Sequence, residues 1–232
     1  MISYVFICIL LSILMSIILN LIIMKIIGSL DYKIFGLKDK NSSIFIICKN
    51  ILKDRILLLR ICFCSLLFIV FNTVILTKIL DNFSFIMIYT YLKYYYLFLV
   101  IYIFAFIDYI TYYVYTVLSY PIIIFSLFIF ILSFLDIKNI RINLETIILI
   151  GFLYLLINKF KFLGEGDFDI FLIIALTLGV LPTVFIFYLS IIMSGIISIV
   201  ILIKNCFKLQ NNRLAFIPFI FIATTVFIAI KV

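Results

Sequence analysis

The chain has 232 residues, of which 68% are hydrophobic and 12% charged, with a formal charge of +8 and a mean hydropathy of +1.46. A soluble globular domain is only about half apolar, so that class is excluded and the bilayer becomes the main solvent of the fold. With no histidine in the chain, Ser-His and Cys-His catalysis and histidine-bearing metal centres are set aside too.

In chain order, apolar runs predict eight spans at roughly 2–27, 57–77, 84–107, 117–135, 145–160, 168–181, 183–203 and 214–230. Several reach or approach the ~20 residues a helix needs to cross a bilayer, and the sixth is short. Continuous rather than alternating hydrophobicity favours helices over an outer-membrane barrel. The expected fold is therefore all-α, a polytopic membrane bundle of about eight transmembrane helices. Lys93 interrupts the third span, and Pro182 separates the sixth from the seventh. The first run, 2–27, lacks a basic n-region and a small-residue cleavage site, and reads as a retained span rather than a signal peptide.

The basic residues lie between the apolar runs, so topology explains them better than nucleic-acid binding does. The loop 28–55 carries Lys33, Lys38, Lys40, Lys49, Lys53 and Arg55 against Asp31, Asp39 and Asp54. The positive-inside rule puts it in the cytoplasm and the N-terminus outside. Alternation then puts 108–116, 159–167 and 204–213 inside, where Lys159, Lys161, Lys204, Lys208 and Arg213 agree. Two regions result: 1–56, a first span with a short basic loop, and 57–232, a membrane domain.

Of the five cysteines, Cys8, Cys48, Cys62, Cys64 and Cys206, most lie in or beside apolar runs, and each reads as a buried reduced thiol. Ser190, Ser194, Gly195 and Ser198 read as small residues for close helix packing. The tyrosines at 94–96, with Tyr109, Tyr112, Tyr113 and Tyr115, read as interfacial belts, with substrate contact as the less favoured role.

One consequence of this topology is chemical. Asp108 closes the third span and Asp167 opens the sixth, so both fall at cytoplasmic helix ends. An ionisable group in or beside a span is a functional-site hypothesis by default. Two neighbouring carboxylates hold one proton between them. The charged member can take a proton from water while the neutral one polarises a scissile carbonyl. That chemistry needs no cofactor and no metal. Gly164 and Gly166 flank the acidic turn and let another chain approach closely, giving an extended substrate access to the backbone. The competing reading makes Asp167 an N-cap and Asp108 a solvated interfacial acid. Glu165 and Asp169 read as solvated first-turn acids favoured by the helix dipole.

Three segments carry a family resemblance. "IDYITYYVYT" (107–116) resembles the first aspartate motif of the type IV prepilin peptidases, with Tyr115 and Thr116 where the family often has Pro-Asn. "GEGDFDIFLIIALTLG" (164–179) resembles the second motif, G-x-G-D. "IPFIFIATTVF" (217–227) resembles the closing Pro-Phe segment. The resemblance runs from about residue 55 to the end. It implies a membrane aspartic endopeptidase, with Asp108 and Asp167 as the catalytic pair, cutting the basic leader from prepilins or pseudopilins at the cytoplasmic face of the inner membrane. It implies no cofactor, no metal and no nucleic-acid partner, and leaves the oligomeric state open.

The chain also departs from that family. Asp169 stands where a lysine often follows the second motif. "ILNLIIMK" (18–25) resembles the end of the family's first span. The paired cysteines of the methylating members are reduced to Cys48 alone, and "RILLLR" puts Arg60 near the expected glutamate. N-methylation is therefore expected to be weak or absent. Two other readings stay open: a presenilin-like or signal-peptide-peptidase-like intramembrane protease, and a non-enzymatic small transporter or assembly subunit. Mapping the cut separates the first; proton-coupled flux without proteolysis marks the second.

Overall fold

A computed structural model of the chain describes residues 2–31, 46–47, 50–51, 54–81, 88–133, 140–160, 164–204 and 214–231. Among these residues eight long helices form: α1 (Ile2–Leu30), α2 (Arg55–Asp81), α3 (Ile88–Thr111), α4 (Thr116–Ser133), α5 (Ile140–Phe160), α6 (Glu165–Leu178), α7 (Val180–Lys204) and α8 (Ile217–Lys231). No strand occurs among the described residues, and five helices are long and apolar enough to cross a membrane. The protein is a multi-pass, all-α membrane bundle. Much of the basic loop used for the topology, with Cys48 and Cys206, falls outside the described residues.

The chain divides into two compact units. The first comprises Met1–Tyr95 with Tyr109–Thr111 and Ile228–Val232; the second comprises Tyr96–Asp108 and Tyr112–Phe227.

In the first unit α1 packs on α2. Lipid is as apolar as leucine, so little hydrophobic force drives membrane helices together, and polar bonds and close packing take its place. Asn20 Nδ2 donates to Ser65 Oγ at 2.6 Å and Asn72 Nδ2 to Ser12 Oγ at 2.9 Å, both crossing between the helices. Cys8 is buried, whereas Cys62 is exposed on α2, against the expectation of a buried thiol.

In the second unit the lower half of α3, most of α6 and the start of α8 form the core. Leu97, Phe98, Ile101, Tyr102, Phe104 and Phe106 of α3 are fully buried, as are Ile170, Ile173 and Ile174 of α6 and Ile217 and Ile220 of α8. Phe221 stacks on Phe98 and Tyr102 with ring centroids 5.5 and 5.7 Å apart. Burial all round a helix marks it as central. Much of α4, α5 and α7 instead points large apolar side chains outward, such as Ile124, Ile148 and Leu181. The Tyr96 hydroxyl lies 3.1 Å from Ser126 Oγ of α4.

Some expectations need correction. Lys93 does not break the third span, since a single hydrogen-bonded ladder tolerates one long side chain, and α3 runs unbroken. The break between the sixth and seventh spans is at Gly179, with φ +88°, and not at Pro182. Pro182 sits in the first turn of α7, where its missing N–H has no helical partner to lose. Among the described residues a Cβ at Gly195 would meet nothing within 4 Å, and only Ser190 of that small-residue set is buried. The serines instead donate back to their own helix, Ser194 Oγ to Ile191 O and Ser198 Oγ to Ser194 O.

Gly179 joins α6 to α7 in the left-handed region, and a Cβ there would lie 3.2 Å from Ile142 Cγ2. Gly179→Ala is expected to cost about 1–2 kcal/mol, read as a lower unfolding temperature in detergent micelles.

Candidate active site

The three core helices of the second unit deliver the site from their ends. Asp108 lies one turn before the end of α3. Asp167 lies in the first turn of α6. Phe216 immediately precedes α8 and Ile217 opens it. A cavity of about 450 Å³ is lined by Asp108, Asp167, Tyr112, Tyr113, Gly166 and Phe216, among others, a volume typical of a ligand pocket. The two aspartates, 59 positions apart in sequence, therefore open onto one space.

Asp108 is buried, 7% exposed, which at a helix end requires partners. They come from the main chain of α8: Ile217 N–H donates to Asp108 Oδ2 at 3.1 Å, and Phe216 N–H also donates to the carboxylate. The first N–H groups of a helix lack intrahelical acceptors and carry its positive dipole end. Asp108 is thus not a solvated acid.

Asp167 is half-buried. The cap residue of α6 is Gly164, in extended backbone with no side chain to cap with, so Asp167 occupies the third helical position and not the N-cap. Its carboxylate accepts the Gly164 N–H, as the acidic member of a capping box does. Burial first, and then the Asp108 carboxylate, push the Asp167 carboxyl up from 3.8 to about 6, while the Gly164 N–H pulls it down. The Coulombic influence places the two carboxylates within reach of each other's field.

The glycines have distinct roles. Gly166 faces Val114 so closely that a Cβ would sit 2.6 Å from its Cβ and Cγ2. The chain that approaches Gly166 is the protein's own turn between α3 and α4. A Cβ on exposed Gly164 would meet Asp167 Oδ2 at 3.2 Å.

The segment carrying these features also matches a known family. Residues 94–199 match the model of the type IV leader peptidase family. Over this stretch, a little under half of the chain, the protein is similar to the type IV leader peptidases. Comparison with curated proteins and with solved structures gave no match. The matched segment holds both aspartates, both glycines of the acidic turn and the tyrosine turn, while α8 lies beyond it.

Several features of this site were not legible in the sequence. Tyr112 has φ 57°, in the left-handed region where glycine or asparagine is usual, and its N–H closes on Asp108 O at 2.8 Å. That strain of order 1–2 kcal/mol ends α3 and turns Tyr112 and Tyr113 onto the cavity. Asp169 is not a solvated acid: it is half-buried and accepts Ser119 Oγ at 2.6 Å, tying α6 to α4. Glu165 is exposed, as a first-turn acid should be. Arg60 lies 5.7 Å over the Tyr109 ring in the first unit.

Ser119→Ala leaves the half-buried Asp169 carboxylate without that donor. It is expected to lower stability by about 1–2 kcal/mol. A double-mutant cycle with Asp169→Asn, read by thermal unfolding, should show coupling between the two residues; simple additivity would count against this tie.

Proposed function

We propose that this protein is an aspartic endopeptidase of the leader-peptidase kind that removes the basic leader of a prepilin or pseudopilin at the cytoplasmic face of the inner membrane. The observation that carries this reading is the single cavity shared by Asp108 and Asp167 at the ends of two core helices. Neither a nucleophilic side chain nor a cofactor is required.

In the proposed reaction a water held between the carboxylates attacks the scissile carbonyl carbon. Its proton passes to Asp108, and Asp167 gives its proton to the carbonyl oxygen. Collapse of the tetrahedral intermediate returns a proton to Asp167 and breaks the C–N bond. The leaving amine departs with the proton held by Asp108, so both carboxyls end as they began. Two carboxyls facing one cavity share a proton, and this reading gives it to Asp167, which feels the Asp108 charge.

The pH dependence follows from that sign. Above the Asp167 value of about 6 its proton is lost, and two like charges then face one cavity. Since kcat/KM reports the free enzyme, kcat/KM is expected to fall as pH rises through about 6. A flat profile from acid pH to neutrality would count against Asp167 as the proton donor. The function itself is tested by co-expressing the protein with a prepilin in cells lacking any leader peptidase. Loss of the leader mass supports it, and an intact prepilin at normal expression rejects it. The methyl group is a separate matter: we expect the trimmed pilin to carry a free N-terminal amine, visible in the same mass spectrum.

A further inference from the structure

The last helix lies beyond the family-matched stretch, yet its first N–H, of Ile217, and that of Phe216 just before it meet one of the two aspartates. We infer that the amino end of α8 is a positioning element for Asp108, its Phe216 and Ile217 amides fixing that carboxylate as the proton acceptor of the pair. This rests on the proposed dyad and deepens it by assigning the two roles.

Three observations point the same way. The Ile217 N–H to Asp108 Oδ2 bond is 3.1 Å long and buried, and Phe216 supplies a second amide donor. Such donors bond only to the acceptor oxygens of the carboxylate, and they favour its charged form. The start of α8 is also held rigidly: Ile217 and Ile220 are fully buried, and Phe216 stacks on Phe171 of α6 at 6.3 Å between ring centroids. The same Phe216 therefore touches the helix that carries Asp167. Pro218 completes the arrangement. At the second helical position it has no N–H, so it adds no donor that could compete for the carboxylate. Asp167, by contrast, accepts the single Gly164 amide from its own helix start and feels the Asp108 charge. The two carboxylates face one cavity and differ in their amide donors: Asp108 accepts from Phe216 and Ile217 at the start of α8, and Asp167 from Gly164 at its own helix start.

Among the described residues, the titratable groups that line the cavity with Asp108 are Asp167 from α6 and Tyr112 and Tyr113 from the turn after α3. Leu214 and Phe216, which lead into α8 and line the cavity, are apolar, so the influence of this segment is exerted by its main chain.

The test compares two substitutions at one position in the full-length protein in micelles. Ile217→Pro removes the N–H while keeping a residue that the first helical position accepts. Ile217→Ala removes similar packing but keeps the N–H. Cleavage of a prepilin peptide is measured against pH. For Ile217→Pro the acid limb of kcat/KM is expected to move up by about one pH unit, with kcat down by about tenfold or more relative to Ile217→Ala. Ile217→Ala should retain the wild-type acid limb. Equal acid limbs in the two variants would overturn the inference. If Asp108→Asn cleaves normally, the dyad itself fails, a result distinct from equal limbs. Should Ile217→Pro not accumulate, amide hydrogen exchange at residue 217 decides. Exchange about tenfold faster in Asp108→Ala than in the wild type supports the inference, and unchanged exchange overturns it.

Discussion

Asp108→Asn and Asp167→Asn are each expected to lower leader cleavage by about 10³-fold or more, while the protein still accumulates in the membrane as a folded bundle. Asparagine keeps the shape and removes the titration. At position 108 it still accepts the Ile217 and Phe216 amides through its carbonyl oxygen, so the packing of α8 on α3 survives. What disappears is the proton acceptor. At position 167 the amide still reaches the Gly164 N–H, but it cannot donate and recover a proton. The two losses should not add: once either carboxyl is gone the pair no longer works as a unit, and the double variant should be no slower than the worse single one. A single variant cleaving within a few-fold of the wild type would remove that residue from the chemistry.

The second large effect concerns Gly166, which a simple view of flexible glycines would not single out. A Cβ at 166 would lie 2.6 Å from both Cβ and Cγ2 of Val114. Val114 Cβ is tethered directly to the backbone of the turn, so no rotamer relieves the overlap. Gly166→Ala must therefore push the first turn of α6 away from the turn after α3, the two segments that set the cavity walls. Overpacking of this kind costs about 1–3 kcal/mol, and a shift of about 1 Å in the reacting groups costs about 10²-fold in rate. The substitution should be partly rescued by Val114→Gly, which empties the space the new methyl needs. Unfolding temperature and cleavage rate, measured for the two single variants and the double, check this. A double variant no better than Gly166→Ala would show that the contact with Val114 is not what position 166 provides.

The long apolar runs made the helices legible, because a bilayer admits few other structures. Helix ends were less so. A proline looks like a boundary on the page, yet Pro182 sits comfortably in a first turn, while the break is made by Gly179 through a positive φ that no letter states. The two aspartates stood out because carboxylates in such an apolar chain are conspicuous. Their supports did not. The Phe216 and Ile217 amides belong to the backbone, which every residue but proline shares, and only Pro218 hinted that a helix begins there. The partner of Asp169 is Ser119, 50 positions away, and no local pattern joins them. Tyr112 was hidden for the opposite reason: a tyrosine is an unexpected choice for left-handed backbone, so nothing marked it as the residue that ends α3.

The measurement that bears most directly on the paired-carboxylate account is N-terminal sequencing of a prepilin after incubation with the purified protein in micelles, beside Asp108→Asn and Asp167→Asn controls. The account predicts one new N-terminus at the junction between the basic leader and the apolar segment, and none with either control. A cut within the apolar segment, or a cut that persists in either control, would contradict it.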